Sequence, residues 1–251
     1  MDIIVCLKRV PDTETRVRFS DGSTVIEPEG VKYIVSPYDE FALEAAFRTT
    51  ELTEEGQVTV MTLGNEDSQE TLRAALAAGA DAAVLLRAQG AVTMDGLATA
   101  KALAAELETR GEQLVLFGVK AGDDDQQQVG PMVATLLGRP CASNATSFEV
   151  GEGVLRCHRD VEGGTEVVEL DLPAVVTLTK GAFELRFASL KGIMAAKRKP
   201  LDVKDVDLPE SRLSVERLDY PPERAEGWIL GEGADAVPEL VQLLRDEANV
   251  L

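Results

Sequence analysis

The sequence predicts an α/β fold, a doubly wound and mostly parallel sheet of the Rossmann-like, adenine-nucleotide-binding kind. Over about the first 140 residues, apolar runs of strand length alternate with segments of helical periodicity. Strands that alternate with helices at this spacing indicate parallel pairing and right-handed crossovers. From about residue 141 the pattern changes to short alternating segments, which are typical of an antiparallel hairpin added to the sheet.

The first half of the chain contains four predicted strands and four predicted helices. Residues 2–8 form an apolar strand. Ser36 then starts a helix as N-cap, with Pro37 at the first position and Asp39 three residues after the cap, which is the arrangement of a capping box. The other strands are at 58–63, 82–86 and 114–117, and the other helices are Glu66 to Ala78, Met94 to Glu108, and a segment beginning near Val129 or Gly130.

The second half contains the hairpin and an extended arm. Residues 154–159 and 165–170 alternate and are joined across 162–164, which places a hairpin at about 150–172, followed by an apolar run at 174–179. An extended segment is indicated by Pro200, Pro209, Pro221 and Pro222, and 235–248 form a last amphipathic helix. We therefore expect a nucleotide-binding domain at 1–200 and, at 201–251, an arm whose terminal helix packs on a partner subunit.

The polar stretch that follows the fourth strand, 118–129 (the aspartate loop), is the leading candidate for a binding site. Ligands of open α/β sheets bind at the carboxyl ends of strands, and the N–H groups at the start of the next helix suit an anion. The three aspartates disfavour a polyphosphate and suit hydroxyl groups, so a nucleoside monophosphate or one end of a dinucleotide fits. A solvated acidic loop is the alternative. The loop after Leu7 and the turn at Leu63–Gly64 should meet the aspartate loop in one pocket.

The overall charge excludes some partners. With 44 acidic and 25 basic residues the formal charge is −19, which repels nucleic acid and anionic membranes. Three distant cysteines and one histidine, His158, support neither a disulfide framework nor a zinc site. No apolar run approaches the roughly 20 residues of a membrane span, and the first residues resemble a strand rather than a signal sequence. We expect a cytoplasmic protein.

Residues 186–199, the basic segment, carry five basic and no acidic residues. Leu190, Ile193 and Met194 have helical spacing and would form an apolar knob surrounded by positive charge. Such a surface suits transient docking, in which the charge speeds association and the apolar anchor supplies affinity. A turn packed on the core with solvated lysines is the alternative.

Together these residues resemble the beta (small) subunit of electron transfer flavoproteins along essentially the whole chain. The motifs that carry the resemblance are VCLKRV at 5–10, SPYDE at 36–40, QETLR at 69–73 with AGAD at 78–81, the stretch 118–130, EGG at 162–164 before LPAV at 172–175, and 186–194.

The resemblance implies a noncatalytic subunit that forms a heterodimer with an alpha subunit. The alpha subunit would hold the redox FAD, while this chain would bury a structural AMP. The places that match the family's AMP contacts are Cys6, Ser36, Pro37, Tyr38, Asp39, Leu63, Gly118, Val119, Lys120, Ala121, Gly122, Asp123, Asp124, Asp125, Gln126, Gln127, Gln128 and Val129. Thr13, where the family often has an aromatic residue, and Tyr38 match places near the FAD.

The family's activity implies the partners. Its members take electrons from flavin dehydrogenases, typically of fatty acid β-oxidation (acyl-CoA dehydrogenases), and pass them to a membrane quinone oxidoreductase. The basic segment matches the family's recognition loop, which assigns partner docking to Arg186, Leu190, Ile193 and Met194, with Leu190 as the anchor.

Several alternatives remain open from the sequence. Residues 128–131 also resemble the branch of the family that bifurcates electrons and binds a second FAD in place of AMP, but that branch commonly has glycine where this chain has Asp124. A nucleotide-hydrolysing enzyme would need a glycine-rich loop after the first strand, and a nicotinamide-dependent dehydrogenase would need G-x-G-x-x-G. An adenine-nucleotide-sensing protein without redox partners would explain the pocket and leave the basic segment unexplained.

Overall fold

The computed structural model describes residues 1–88, 95–181, 184–223 and 226–251. A nine-stranded sheet forms its centre, in the strand order β11-β5-β4-β1-β6-β10-β7-β8-β9, and β2 and β3 form a separate antiparallel pair. The strands are β1 Ile3–Cys6, β2 Arg9–Pro11, β3 Tyr33–Val35, β4 Val58–Gly64, β5 Ala82–Ala88, β6 Leu114–Gly118, β7 Cys141–Val150, β8 Val154–Val161, β9 Gly164–Asp171, β10 Ala174–Leu178 and β11 Leu201–Val206.

Within the described ranges, six α-helices connect or follow the strands. They are α1 Pro37–Thr53, α2 Ser68–Ala78, α3 Gly96–Glu108, α4 Val129–Leu137, α5 Leu190–Ala196 and α6 Val237–Asp246, the last preceded by a 3₁₀ turn at Ala234–Ala236. The predicted start of the third helix, Met94, lies outside the described residues. Among those residues, no helix combines the length and the apolar character needed to cross a bilayer.

Helices cover both faces of the sheet, which confirms the predicted doubly wound α/β class. Alternate residues of β1 point to opposite sides: Ile3 and Val5 join a core with α1 and α2, while Ile4 and Cys6 join a core with α3 and α4. The six pairings from β11 to β7 are parallel, as the alternation of strands and helices predicts. Burial on both faces explains why the central strands β1, β5, β6 and β10 are near-continuous apolar runs.

The predicted hairpin is present as β8 and β9, which pair antiparallel at the edge of the same sheet. The structure differs from the sequence reading on either side of it. The run at 174–179 is not part of the antiparallel unit, because β10 lies between β6 and β7 and is parallel to both. Residues 201–206, assigned to the arm, form β11 parallel to β5. The arm of the structure thus begins after Val206.

Candidate functional site

A cleft lies where the carboxyl ends of β4, β1 and β6 stand side by side in the sheet. Cys6, Leu63 and Gly118, one residue from each strand, line it, so the predicted shared pocket is confirmed. Its volume of about 130 Å³ is many times what one water needs, so it can admit a small molecule. The other predicted residues in its wall are Asp39, Val119, Lys120, Ala121, Asp124, Gln126, Gln127, Gln128 and Val129.

Six predicted nucleotide contacts, Ser36, Pro37, Tyr38, Gly122, Asp123 and Asp125, are not among the cleft-lining residues but lie on the two segments that flank it. A Cβ placed on Gly122 would be 3.5 Å from Pro37 Cδ, so the aspartate loop rests against the start of α1. Lys120 Nζ lies 5.4 Å from the centre of the Tyr38 ring. These residues are therefore neighbours of the cleft, and their contact with a ligand stays a prediction.

Asp39 ties the helix and the two strand ends together. Its two carboxylate oxygens accept hydrogen bonds from the backbone N–H of Lys8, at 2.7 Å, and from that of Gly118, at 2.9 Å. Burial raises the pKa of Asp39 to about 7, although both backbone donors favour the ionised form. A Cβ on Gly118 would lie 2.5 Å from Asp39 Oδ1, so only glycine permits this approach.

The prediction of a capping box at the start of α1 is wrong, because its side-chain hydrogen bonds do not form. Ser36 is the N-cap, but its hydroxyl makes no capping hydrogen bond. Ser36 Oγ is fully buried and has no hydrogen-bond partner in the described structure. Asp39, three residues later, binds the strand ends instead of closing the box. A buried hydroxyl without a partner costs free energy, and this one lies on the segment that flanks the cleft.

The three aspartates of the aspartate loop are held by two lysines. Lys8 Nζ donates to Asp123 at 2.8 Å and to Asp124 at 2.7 Å, and Lys120 Nζ donates to Asp125 at 2.6 Å. Burial alone would lower the pKa of Lys8, but the hydrogen bonds to both aspartates raise it above its ordinary value. The Lys8 pairs join the aspartate loop to the residue that follows the end of β1. Sequence reasoning did not anticipate this role of Lys8.

The part of this loop's backbone that suits an anion is its end, where α4 starts. Asp125 and Gln127 have left-handed φ angles of 51° and 56°, and the N–H groups of Asp125 and Gln126 are already bonded, to the Ala121 carbonyl oxygen and to Asp124 Oδ1. The helix α4 begins at Val129, as predicted, and the first N–H groups of a helix have no partner within it. The second helix at the cleft, α3, begins beside them, because a Cβ on Gly96 would be 3.1 Å from Gln128 Oε1.

Seven lining residues are outside the set that the resemblance assigns to AMP, and they are Leu7, Lys8, Gly96, Thr99, Leu103, Phe117 and Gly130. Three of the seven lie on α3, which sequence reasoning did not place at the cleft and whose N-cap Asp95 accepts hydrogen bonds from Leu97 and Ala98. The pair Asp95–Gly96 is a helix-start signal that could have placed this N-terminus at the cleft. Cys6 is a buried free thiol, and burial raises its pKa far above the ordinary value, so it supplies no nucleophile.

The two predicted flavin-facing residues lie apart from the cleft lining. Thr13 is exposed on the connection between β2 and β3, and Tyr38 is half-buried at the start of α1.

In the basic segment the predicted apolar knob faces outward, since Leu190 is 84% exposed, Met194 73% and Ile193 46%. Phe187, which the sequence reading did not select, is 95% exposed.

Comparisons with known proteins agree with this architecture. A family model described as the electron transfer flavoprotein domain matches residues 23–209, about three quarters of the chain. The chain belongs to the electron transfer flavoprotein family. Within that family, proteins named electron transfer flavoprotein subunit beta are similar over the full length. The Bacillus subtilis protein is 37% identical and the Bradyrhizobium diazoefficiens protein 38% identical, each with complete coverage of both chains.

A human relative of the same name extends the comparison beyond bacteria. The Homo sapiens electron transfer flavoprotein subunit beta is 35% identical over 97% of this chain and 98% of its own length. The match therefore includes both the cleft and the arm after Val206. The resemblance found in the sequence motifs is confirmed at the level of the electron transfer flavoprotein beta subunits.

Proposed function

We propose that this chain is the beta subunit of a heterodimeric electron carrier that works in the cytoplasm. It binds AMP in the cleft, lines one side of the FAD held by the alpha subunit, and docks the electron donor. The donors are flavin dehydrogenases of the acyl-CoA dehydrogenase type, and the acceptor is a membrane quinone oxidoreductase. In this role the chain itself contributes binding and positioning, without catalytic residues.

The observation that carries the AMP assignment is the chemistry of the cleft at three strand ends. The backbone N–H groups at the start of α4, which have no partner within the helix, suit a phosphate. The buried, unpartnered hydroxyl of Ser36 beside the cleft suits one more polar group of a nucleotide. Lys8 and Lys120 are already paired with aspartates, which leaves less positive charge for the three phosphates of a nucleoside triphosphate.

The chain's own contribution to electron transfer is geometric. When bound to the alpha subunit, FAD supplies the electron-accepting and electron-donating chemistry. Thr13 and Tyr38 are the residues we assign to the side of that flavin, and both lie on segments adjoining β2 and β3, next to the start of α1. The exposed side chains of the basic segment supply a docking surface whose charge is opposite to that of the rest of the protein.

A second candidate is the bifurcating branch, with a second FAD in the cleft. Asp124 favours AMP over this candidate, because its side chain lines the cleft and is held there by Lys8, with 12% of its surface exposed. A glycine at 124 would leave space for a longer cofactor. A nucleotide-sensing protein without redox partners would also use the cleft, but the exposed apolar side chains of the basic segment argue against it.

The first experiment is to co-express the chain with the neighbouring large subunit, denature the purified complex, and quantify released nucleotides by chromatography and mass spectrometry. One AMP and one FAD per heterodimer support the proposed carrier. Two FAD and no AMP assign the protein to the bifurcating branch and make the aspartate loop part of a redox site. AMP with no flavin and no stable complex supports the sensing protein instead.

A further inference from the structure

The basic segment is fastened to the body of the protein at its beginning by Arg186. The Arg186 guanidinium donates from Nε to Glu44 Oε2 at 2.8 Å and from Nη1 to Glu51 Oε1 at 2.6 Å, and Nη2 bonds both carboxylates at 3.1 Å. It also lies 4.7 Å from the centre of the Phe47 ring. The residue that sequence reasoning assigned to partner docking thus directs its side chain at α1 of its own chain.

Glu44 is the centre of this contact. It is 3% exposed and accepts hydrogen bonds from Arg48, from the Arg186 side chain and from the Arg186 backbone N–H. Burial alone would raise the pKa of Glu44, but the hydrogen bonds from the two arginines lower it below the ordinary value. Glu51, the other acceptor, is 60% exposed and its ion pair is screened by solvent.

The end of the basic segment is fastened independently. Arg73 Nη1 on α2 donates to the carbonyl oxygens of Ala196 and Lys199, and Lys199 Nζ donates to three carbonyls at the end of α2. Between the two fastenings, Phe187, Leu190 and Met194 are exposed, and only Ala196 of α5 is buried. The seven-residue helix packs on α2 at Gly192 and Ala196, so its later turn is fixed there, while the residues before it depend on the contact made by Arg186.

We propose that Glu44 is a positioning residue for docking, which through Arg186 holds the start of the basic segment on α1 so that Leu190 is presented in one geometry. This inference rests on the docking role given under the proposed function. Pre-ordering a segment lowers the free-energy cost of binding, because only the fraction of molecules in the competent geometry can dock. Glu44 acts through Arg186 and makes no contact with the partner.

The test is steady-state reduction of the holo-heterodimer by an acyl-CoA dehydrogenase, with the heterodimer concentration varied. If Glu44→Gln leaves about one tenth of the segments in the competent geometry, the KM for the heterodimer rises about tenfold while kcat changes by less than about twofold. Glu54→Gln, an exposed change at the end of the same helix, is the matched control and should leave both constants unchanged. AMP and FAD content should match wild type, and the thermal unfolding midpoint should fall by only a few degrees, because a buried acceptor of arginine hydrogen bonds is weakened while the sheet is untouched. A KM within about twofold of wild type for Glu44→Gln overturns the proposal.

A double variant separates positioning from general loosening. Leu190→Ala alone should raise KM, and adding Glu44→Gln to it should raise KM by less than about a further twofold, because both changes remove one presented anchor. If the increase in KM of the double variant equals the product of the increases of the two single variants, Glu44 does not act through Leu190. If Leu190→Ala leaves KM unchanged while Glu44→Gln raises it, the positioning role stands and Leu190 as the anchor is wrong.

Amide hydrogen exchange gives a readout that does not require docking. Residues 186–193 should exchange faster in Glu44→Gln than in Glu54→Gln, while the strands β1, β4 and β6 keep wild-type rates. Residues 186–193 could exchange faster in Glu44→Gln while the KM for the heterodimer stays at the wild-type value in both Glu44→Gln and Leu190→Ala. The contact between Glu44 and Arg186 would then be structural only, and the docking role would be removed from the proposed function. Unchanged exchange overturns the claim that Glu44 holds the segment.

Discussion

Asp39 shows how one side chain serves both the fold and the cleft. Its carboxylate joins the N-terminus of α1 to the ends of β1 and β6 through two backbone N–H groups, at the point where those strands reach the cleft. The sequence pattern predicted a helix start here and assigned the acid to a capping box. The pattern could not show the competing donors, because Gly118 is brought to Asp39 only when the parallel sheet forms.

Asp39→Asn should destabilise the chain by about 2 kcal/mol. The amide has one oxygen, so it cannot accept from the backbone N–H groups of both Lys8 and Gly118 as the two carboxylate oxygens do, and one buried N–H would lose its acceptor. The pKa of Asp39 is raised from 3.8 to about 7 in the folded chain, so between these values the folded state binds the extra proton. The contribution of Asp39 to the free energy of unfolding therefore falls as pH rises from about 4 to 7.

Denaturant unfolding of wild type and Asp39→Asn between pH 4 and pH 8 measures this effect. The difference in the free energy of unfolding between the two proteins should be largest near pH 4 and should narrow toward pH 7. Glu54→Gln serves as a control for a general change in acidic charge on α1. A difference that grows with pH would contradict the raised pKa of Asp39.

Asp124 is the residue on which the choice of nucleotide depends. Asp124→Gly removes a side chain from the cleft wall together with its ion pair to Lys8, and so should loosen the selectivity for AMP. Asp123→Gly removes the other partner of Lys8 without opening the wall and is the matched variant. Nucleotide release and titration with AMP and FAD after refolding check this expectation, and unaltered nucleotide content and affinity in Asp124→Gly contradict the steric argument.

At the scale of elements, α5 is placed against α2 by one close approach. A Cβ added to Gly192 would lie 2.3 Å from the backbone oxygen of Ala77, so the helix cannot keep its position with any larger residue there. Intrinsic helix propensity alone would favour alanine over glycine by about 1 kcal/mol. The glycine is therefore required by packing rather than by the conformation of its own helix.

Gly192→Ala should displace α5 and raise the KM for the donor dehydrogenase about as much as loss of the Leu190 side chain, with the global unfolding midpoint nearly unchanged. The KM should change without a large change in the unfolding midpoint because Ala196 is the one described residue of α5 that is buried. Gly111→Ala, at a site with nothing within 4 Å of the added Cβ, is the control. A wild-type KM in Gly192→Ala would show that the position of α5 does not matter for docking.

The elements that the sequence predicted well are those with a strong local signal. Strands β1, β4, β5 and β6 are buried apolar runs, and the hairpin β8–β9 alternates around Gly163–Gly164. Strand β11 reads LDVKDV, with charges typical of an edge strand, and its pairing with β5 is set by tertiary contact. Strand β7 begins with small and polar residues, CASNATS, which carry no strong local preference for a strand.

Part of the candidate site could also be predicted from the sequence, and the rest depends on contacts that form only in the folded chain. Strand-end loops such as 118–129 are recognisable in the sequence because glycine, aspartate and glutamine interrupt an apolar run. The contribution of α3 through Gly96 and Thr99 depends on the crossover that places this helix over the same strand ends. Arg186 has a basic side chain in a basic segment, so its inward direction toward Glu44 depends on a helix about 140 residues earlier.

On the scale of the whole molecule, charge separates the basic segment from the rest of the chain. The net charge is −19, while 186–199 has five basic and no acidic residues. Arg186 and Lys199 are used in bonds to α1 and α2, which leaves Lys191, Lys197 and Arg198 exposed around the apolar side chains. Three outward charges beside Leu190 suit an acidic partner surface, and long-range repulsion disfavours acidic partners elsewhere on the molecule.

The arm after Val206 is attached to the domain at two described places. The backbone N–H of Arg212 donates to Asp95, and Tyr220 stacks on Phe19 with the ring centres 4.1 Å apart. Beyond these contacts, α6 has no buried residue, and its apolar side chains Val237 and Leu240 are 50% and 43% exposed. An amphipathic helix with an uncovered apolar face gains stability by packing against another surface.

We expect this surface to be the alpha subunit, so deletion of 233–251 should weaken the heterodimer without unfolding the domain. The cores on both faces of the sheet contain no residue of α6, and their loss of stability on deletion should be small. Leu240→Asp should weaken association in the same direction, whereas Glu239→Ala on the polar side should not. Light scattering of the co-purified subunits measures association, and thermal unfolding of the beta chain measures its fold. A deletion that keeps full association would show that the arm and α6 do not bind the partner, because the heterodimer would then depend on the domain alone.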